Sequence, residues 1–390
     1  MQKTILSVIA IAAALQVSAQ QKYTVDLYLA GQEGHKLTLS YVTKGQRHSD
    51  TAEHLPDGGF RFSGEIAEPV VAVVFNSHPG TKFQMSQGGM FIPGPLLEFV
   101  LEDGRTTIKG TSEKSYMALA KGGKLNTEFA KLHARELPLI EKKWELTKEG
   151  AIAFRNGDTA RSKACRQEAS ALDGKKNELR KAYIANHPGS FVSMYLLAIL
   201  YEEYTPQAYA EAYGKLASSW KPSFYGQLIA SKIESTRATA LGMQAIDFTK
   251  KDIQGNDFTL SSLKGKYVLV DFWGSWCGPC RASHPHMRKL YEHYKPKGLE
   301  IVGISEEKTE KIADAEKFWK GAVEKDGINW LHVMNNYGKA DFDLVQKYGI
   351  TGFPTKFLLD PQGKIVWKLV GGGKESEDQL DAKLKELLGQ

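Results

Sequence analysis

Cysteine is scarce: three residues in 390, Cys165, Cys277 and Cys280. That is too few for a disulfide-stapled scaffold and too few for a four-cysteine zinc site. The count is also odd, which in an exported protein leaves one thiol to explain. Excess charge of one sign is lacking as well. Lys plus Arg is 51 and Asp plus Glu is 45, a net charge of +6. No block rich in Lys and Arg breaks the chain, so nucleic-acid binding receives no support. Beyond the N-terminus no apolar run reaches the ~18 residues that span a bilayer. The longest, residues 191–200, reads as a buried helix. What is present is ordinary globular usage, 42% hydrophobic and 25% charged, which excludes a disordered or collagen-like chain. At about 150 residues per domain, the length implies two or three domains.

The N-terminus sets the expected compartment. Lys3 supplies a short positive region, residues 5–15 form an apolar run, and Val17-Ser18-Ala19 offers small residues before Gln20. That grammar reads as a signal peptide over residues 1–19; a buried N-terminal strand or helix is the alternative. No cysteine follows the apolar run, so no lipoprotein anchor is indicated. The expected mature chain is soluble, has no membrane span and is exported to the periplasm or cell envelope, where disulfide chemistry is permitted.

Residues 22–110 read as a β-rich module. Tyr23-Thr24-Val25-Asp26-Leu27-Tyr28-Leu29 alternates with period two, and short apolar runs recur between Gly, Pro, Asn and Asp punctuators. A small sandwich or barrel is expected. Residues 111–236 are a helical segment, rich in Lys, Glu, Ala and Leu. Ser190 is a candidate N-cap after the break at Asn186-His187-Pro188-Gly189. The aromatic residues of this segment read as helix packing rather than a cofactor box. No catalytic constellation stands out in residues 22–236. Residues 240–390 alternate strand and helix, with a short helix over 340–348, a hairpin at Asp360-Pro361-Gln362-Gly363 and a closing helix. A mixed sheet covered by helices on both faces follows from that order.

The chemistry concentrates in one stretch. Val268-Leu269-Val270-Asp271-Phe272-Trp273 reads as a buried strand, Gly274-Ser275 releases the chain, and Trp276-Cys277-Gly278-Pro279-Cys280 opens a helix. Free N–H groups and the positive end of a helix dipole stabilise a thiolate there, and the thiolate is the nucleophile of disulfide exchange. Cys277 is therefore the expected attacking thiol and Cys280 the resolving one. Other readings of the pair exist: half a zinc site completed by His284 and His286, or an inert structural disulfide. Haem attachment would need His directly after Cys280, where Arg281 stands.

This pentapeptide resembles the active site of the thioredoxin superfamily. Ile253-Gln254-Gly255-Asn256, Thr259-Leu260-Ser261-Ser262-Leu263, Tyr348-Gly349-Ile350-Thr351-Gly352-Phe353-Pro354-Thr355 and Phe357-Leu358-Leu359-Asp360-Pro361-Gln362-Gly363 narrow the likeness to the exported TlpA/ResA-like thioredoxins. The N-terminal half resembles an uncharacterised β-rich module often fused ahead of them. The resemblance implies an α/β thioredoxin fold for the C-terminal part, preceded by a small all-β module and an α-helical segment. It implies that Pro354 is a cis-proline holding Phe353 open to an extended substrate, and that Asp271 is a buried carboxylate assisting the resolving cysteine. Trp276, Gly278, Pro279 and Phe353 would meet the substrate. One departure matters: the Glu often found three positions after the second cysteine is Ser283 here, so its proton-handling role does not carry over.

The resulting expectation is an exported thiol–disulfide oxidoreductase. Gly-Pro between the cysteines matches reducing members of the superfamily, with cytochrome c biogenesis among the targets the family implies. Its partners would be protein disulfides and a membrane or thioredoxin-type electron donor, with neither cofactor nor metal. A peroxide-reducing enzyme on the same fold and a non-enzymatic partner-binding or chaperone protein are the alternatives. Homodimerisation through the N-terminal half is left open, and Cys165 reads as a spectator or as an intermolecular disulfide.

Overall fold

The computed structural model describes residues 20–43, 45–85 and 89–389. The signal peptide expected over residues 1–19 lies outside them. The chain forms two compact units, Met1–Ile229 and Ala230–Gln390. The β-rich and helical stretches share the first.

The strands of the first unit are β1 (Gln21–Ala30), β2 (Leu37–Thr43), β3 (Gln46–Thr51), β4 (Glu53–His54), β5 (Phe60–Ile66), β6 (Val70–Asn76), β7 (Lys82–Gln84), β8 (Phe91–Pro93), β9 (Leu97–Leu101), β10 (Gly104–Thr111) and β11 (Ala120–Lys121). They do not close into a barrel. One sheet runs β11-β10-β1-β5-β4 and another β3-β2-β6-β9, with β7 and β8 paired apart. The alternation along β1 buries Tyr23, Val25, Leu27 and Leu29, as a sheet with one core face requires. Asp26, on the opposite face, is buried between Arg61 of β5 at 2.7 Å and Arg105 of β10 at 3.0 Å.

Five helices follow: α1 (Lys124–Arg155), α2 (Thr159–Asn186), α3 (Phe191–Ile199), α4 (Pro206–Lys215) and α5 (Phe224–Ala238). Gly123 has no side chain to cap α1, so the Glu102 carboxylate accepts from the N–H groups of Leu125 and Asn126 at 3.1 and 2.8 Å. Those donors would otherwise be orphaned, and an anion suits that end of the dipole. Ser190 caps α3 through the N–H groups of Val192 and Ser193. Between α1 and α2, Arg180 grips Glu136 with two hydrogen bonds of 2.6 and 2.9 Å, both side chains buried. Burial alone would raise the Glu136 pKa, but the hydrogen bonds from Arg180, with His133 3.5 Å away, win and hold it at about 2. Cys165 is 1% exposed, packed on Leu146, Ala169 and Leu172, which removes its sulfur from reach of a second chain.

In the second unit the central sheet is built from β14 (Tyr267–Trp273), β15 (Leu299–Ser305), β16 (Leu331–Met334), β17 (Thr355–Leu359) and β18 (Ile365–Val370), after a small hairpin of β12 (Thr249–Lys251) and β13 (Asp257–Thr259). The order is β16-β15-β14-β17-β18; β14 to β16 are parallel, β17 runs against them, and β18, antiparallel to β17, returns to their direction. Val268 to Trp273 are buried without alternation, as expected of a strand covered on both faces. Leu269 and Trp273 face α6 (Gly278–Tyr294), α7 (Ile312–Asp326) and α9 (Lys374–Leu388), packing with Met287, Trp319 and Leu384. Val268, Val270 and Phe272 pack with Phe248, Phe258, Leu344 and Tyr348. That second face departs from the expected helical cover: the β12–β13 hairpin and the short α8 (Leu344–Lys347) close it. The short helix expected over 340–348 is α8, which begins only at Leu344, where Asp343 caps it by accepting from the Gln346 N–H at 3.1 Å. The Lys250 ammonium donates to the carbonyls of Asn335, Tyr337 and Phe342.

Two outcomes follow for the first unit. Arg180→Met leaves Glu136 buried and unpaired and should cost about 3–5 kcal/mol in urea unfolding, much of it recovered when Glu136 is also made apolar. Because the Glu136 pKa falls on folding, from 4.5 to about 2, the pair's stabilisation is complete above the higher value and lost as pH drops through the lower one. Wild type and Cys165→Ala should run as identical monomer bands on a non-reducing gel; a dimer band lost only in the variant would contradict the burial.

Candidate active site

Three chain segments meet at the top of β14. The first is the turn after the strand. Trp273 closes β14, and Cys277 becomes the N-cap of α6, with its backbone in the extended region and its Sγ 3.3 Å from the N–H of Cys280. Cys277 and Cys280 are joined by a disulfide, 4% and 0% exposed. The turn has no slack. Glu307, buried just past β15, accepts from the N–H and Oγ of Ser275 at 3.0 and 2.5 Å and from Ser305 Oγ at 2.6 Å. Gly274 is required here: a Cβ would lie 2.6 Å from Trp276 Nε1 and 2.7 Å from the Glu306 carbonyl. Those two atoms form the 2.8 Å hydrogen bond that anchors the Trp276 ring.

The second segment precedes β17. The Phe353–Pro354 peptide bond is cis, an isomer confined almost entirely to proline. Phe353 meets the Trp276 ring edge to face at 5.4 Å. Pro279 and Pro354 converge on Gly372, where a Cβ would stand 3.5 Å from the Pro279 carbonyl and 3.5 Å from Pro354 Cγ. The expected site residues Trp276, Cys277, Gly278, Pro279, Cys280, Phe353 and Pro354 therefore lie together. Trp276 is 39% exposed and carries the Lys308 ammonium 3.4 Å from its ring centroid, a cation–π contact. Trp273 is buried beneath.

The third segment is the interior of the sheet. Asp271 is buried on the same face of β14 as Leu269 and Trp273, the face that α6 covers. It is not solitary. Lys356 stands directly across the ladder on β17, equally buried, with Nζ 2.6 Å from Asp271 Oδ1. Sequence reasoning passed over Lys356, although a lysine two residues after Pro354 in an otherwise apolar strand demands a buried anion. Glu307, Lys308 and Asp326 were missed too. Each is an ordinary charged residue in a charged stretch, and only the fold distinguishes it.

Of the two histidines weighed as zinc ligands, His284 is buried and turned to Asp326, with Nδ1 at 2.8 Å. His286 reaches Asp381 at 2.7 Å. Among the described residues no group of three or more His, Cys, Asp or Glu could hold a metal ion. No helix among them is long and apolar enough to cross a membrane.

Comparison with known proteins agrees with this geometry. The family model described as Redoxin matches residues 240–384, and that of a domain of unknown function (DUF4369) matches residues 23–129. The thiol-disulfide oxidoreductase ResA of Bacillus anthracis is 33% identical over 147 residues, 38% of this chain and 78% of the relative. ResA of Bacillus subtilis is 36% identical over 135 residues, 35% of this chain and 70% of its own. Among solved structures, the thioredoxin domain of a thiol-disulfide oxidoreductase from Bacteroides vulgatus is 37% identical. The match covers 38% of this chain and 98% of that one, with a TM-score of 0.33.

Breaking the buried pair is the direct test of its weight. Lys356→Met strands the Asp271 charge and should destabilise the oxidised protein by about 3–5 kcal/mol in chemical denaturation. Combining it with Asp271→Leu should restore most of that loss. A loss below 1 kcal/mol for the single variant would mean that water reaches the carboxylate.

Proposed function

We propose, from the premise that this chain belongs to the ResA-type thiol-disulfide oxidoreductases, that it is an exported reductase of protein disulfides in the periplasm or cell envelope. The observation that carries this reading is the Cys277–Cys280 disulfide at the first turn of α6. Reduction frees a thiol at Cys277, where unpaired N–H groups and the helix dipole favour the thiolate. Cys277 attacks a partner disulfide and forms a mixed disulfide. Cys280, one helical turn away, attacks Cys277 Sγ and releases the reduced partner.

The remaining residues take supporting roles in this reading. Phe353 makes no backbone hydrogen bond among the described residues, which suits pairing with an extended partner segment; Pro354 holds it in place. Trp276, Gly278, Pro279 and Phe353 form the contact surface. Asp271, held by Lys356, assists proton transfer at Cys280. Electrons would come from a membrane or thioredoxin-type donor, and cytochrome c biogenesis is one target class. The expected division into residues 1–19, 22–110, 111–236 and 240–390 forms part of the same reading: export signal, two segments of unassigned role, and the redox domain. Peroxide reduction is disfavoured by the Phe272-Trp273-Gly274-Ser275-Trp276 context before Cys277.

The decisive experiment is trapping. Cys280→Ala should accumulate mixed disulfides with natural partners, which mass spectrometry would name, while Cys277→Ser should accumulate none and lose activity. A Cys277→Ser variant with full activity in the cell would leave a binding or chaperone role. The midpoint potential should lie near the reducing end, about −270 mV, and a value near −120 mV would reverse the direction.

A further inference from the structure

Four residues after Cys280, on the same buried stripe of α6, stands a second group able to take its proton. Cys280, His284, Met287 and Tyr291 are all buried, spaced as one face of a helix. Residues four apart place their Cβ atoms about 5–6 Å from each other, and helical side chains lean toward the N-terminus. Cys280 and His284 are thus neighbours along that stripe. The His284 ring meets Trp273 edge to face at 5.0 Å, and Trp273 and Cys280 share one core cluster.

The ring's tautomer is set from behind. A carboxylate only accepts hydrogen bonds, so Asp326 at 2.8 Å takes the proton on Nδ1. That leaves a lone pair on Nε2. Nε2 is buried and has no hydrogen-bond partner among the described residues. Asp326 is itself fixed by Arg281, through bonds of 2.9 and 2.5 Å to its two oxygens. Burial would raise the Asp326 pKa, but Arg281 and His284 keep it below the ordinary carboxylate range. Burial also lowers the His284 pKa from 6.5, against the pull of Asp326, so the ring is neutral and able to accept.

The geometry points to His284 as the general base that takes the Cys280 thiol proton during resolution, with Asp326 and Arg281 as the residues that position it. This rests on the exchange reading above and deepens it. It also fills the place left by Ser283, where a proton-handling Glu is lacking. With glutathione disulfide as oxidant the step balances. Cys277 thiolate attacks one glutathione sulfur and expels the first glutathione thiolate. The Cys280 proton then passes to His284 Nε2 as the Cys280 sulfur attacks Cys277 Sγ, and the second glutathione thiolate leaves with the electron pair. The protein dithiol loses two electrons and glutathione disulfide gains them. The imidazolium returns its proton to water, and the departing thiolates are protonated from water.

The charged and titratable groups around the ring are Asp326 from α7, Arg281 from α6, Asp271 from β14, Lys356 from β17 and His332 from β16. Burial pushes the His332 pKa down to about 3, so that ring contributes no charge near neutrality. Asp271 and Lys356 cancel as a pair. Asp326 is thus the dominant partner.

Acid-quenched mass spectrometry of the full reduced chain with glutathione disulfide separates the two steps. In His284→Gln the mixed disulfide at Cys277 should form at the wild-type rate, while its resolution slows about 100-fold, within the usual range for a lost general base. The acid limb of the wild-type resolution profile, with its inflection below 6.5, should vanish. Asp326→Asn should keep that limb but move it to lower pH, because the carboxylate that favours the imidazolium is gone. Resolution at the wild-type rate with an unmoved profile in His284→Gln overturns the assignment, as does equal slowing of both steps. If His284→Gln does not fold, an unmoved profile in Asp326→Asn overturns it instead. Failure of wild type to form the mixed disulfide at all would strike the exchange reading itself.

Discussion

The register between β14 and β17 is the constraint on which the site depends. Asp271 faces Lys356 and Phe272 faces Thr355, so the end of β14 and the cis-proline before β17 fall at the same level. Sliding this pairing by one residue would turn every side chain of one strand to the other face. It would bury two unpaired charges and move Pro354 away from the cysteine turn. Apolar neighbours alone specify such a slip weakly, because β14 is buried on both sides and hydrophobic throughout. The ion pair supplies what the hydrophobic pattern cannot: a unique alignment of antiparallel partners.

From that alignment the rest follows in short steps. The strand must leave the sheet at Gly274, whose missing Cβ lets the Trp276 indole reach the Glu306 carbonyl. Glu307 ties down Ser275 from the neighbouring strand end. Glu306 in turn holds Asn335 and Lys339, and the Asn335 carbonyl accepts from Lys250 of the first hairpin. The cysteine turn is thus connected, through a run of polar contacts, to the loop that follows β16 and to β12. A buried ammonium surrounded by carbonyls at that distance from the disulfide still bears on the disulfide, because it fixes the loop against which the turn is braced.

Much of this was legible in the chain. The burial of β14, the start of α6 at Cys277, the hairpin at Asp360 to Gly363 and the capping by Ser190 each rest on local chemistry that a few consecutive residues carry. The failures are non-local. Glu307 and Asp326 look like any surface charge until the fold places them beside Ser275 and His284. The two separate sheets of the first unit, rather than a barrel, likewise depend on pairings between distant strands, such as β1 with β10. Period-two alternation says which face is buried and nothing about which strand is the neighbour.

The two cysteines of the pair stand in different physical environments, and this asymmetry organises the chemistry around them. Cys277 belongs to the surface end of α6. Its sulfur is served by backbone N–H groups, and its flanks, Trp276 and Phe353, are shaped for contact. Cys280 is wholly buried, and the interior of the same unit holds two fixed ionisable pairs, Asp271 with Lys356 and His284 with Asp326. The attacking sulfur needs its anion stabilised before it reacts, which a helix terminus does without a proton acceptor. A buried nucleophile must shed its proton during reaction, where no water waits to receive it. The sequence separates the two tasks by a single turn of helix. In the exchange proposed above, backbone would serve the first cysteine, and the buried charges of the sheet and of α7 the second.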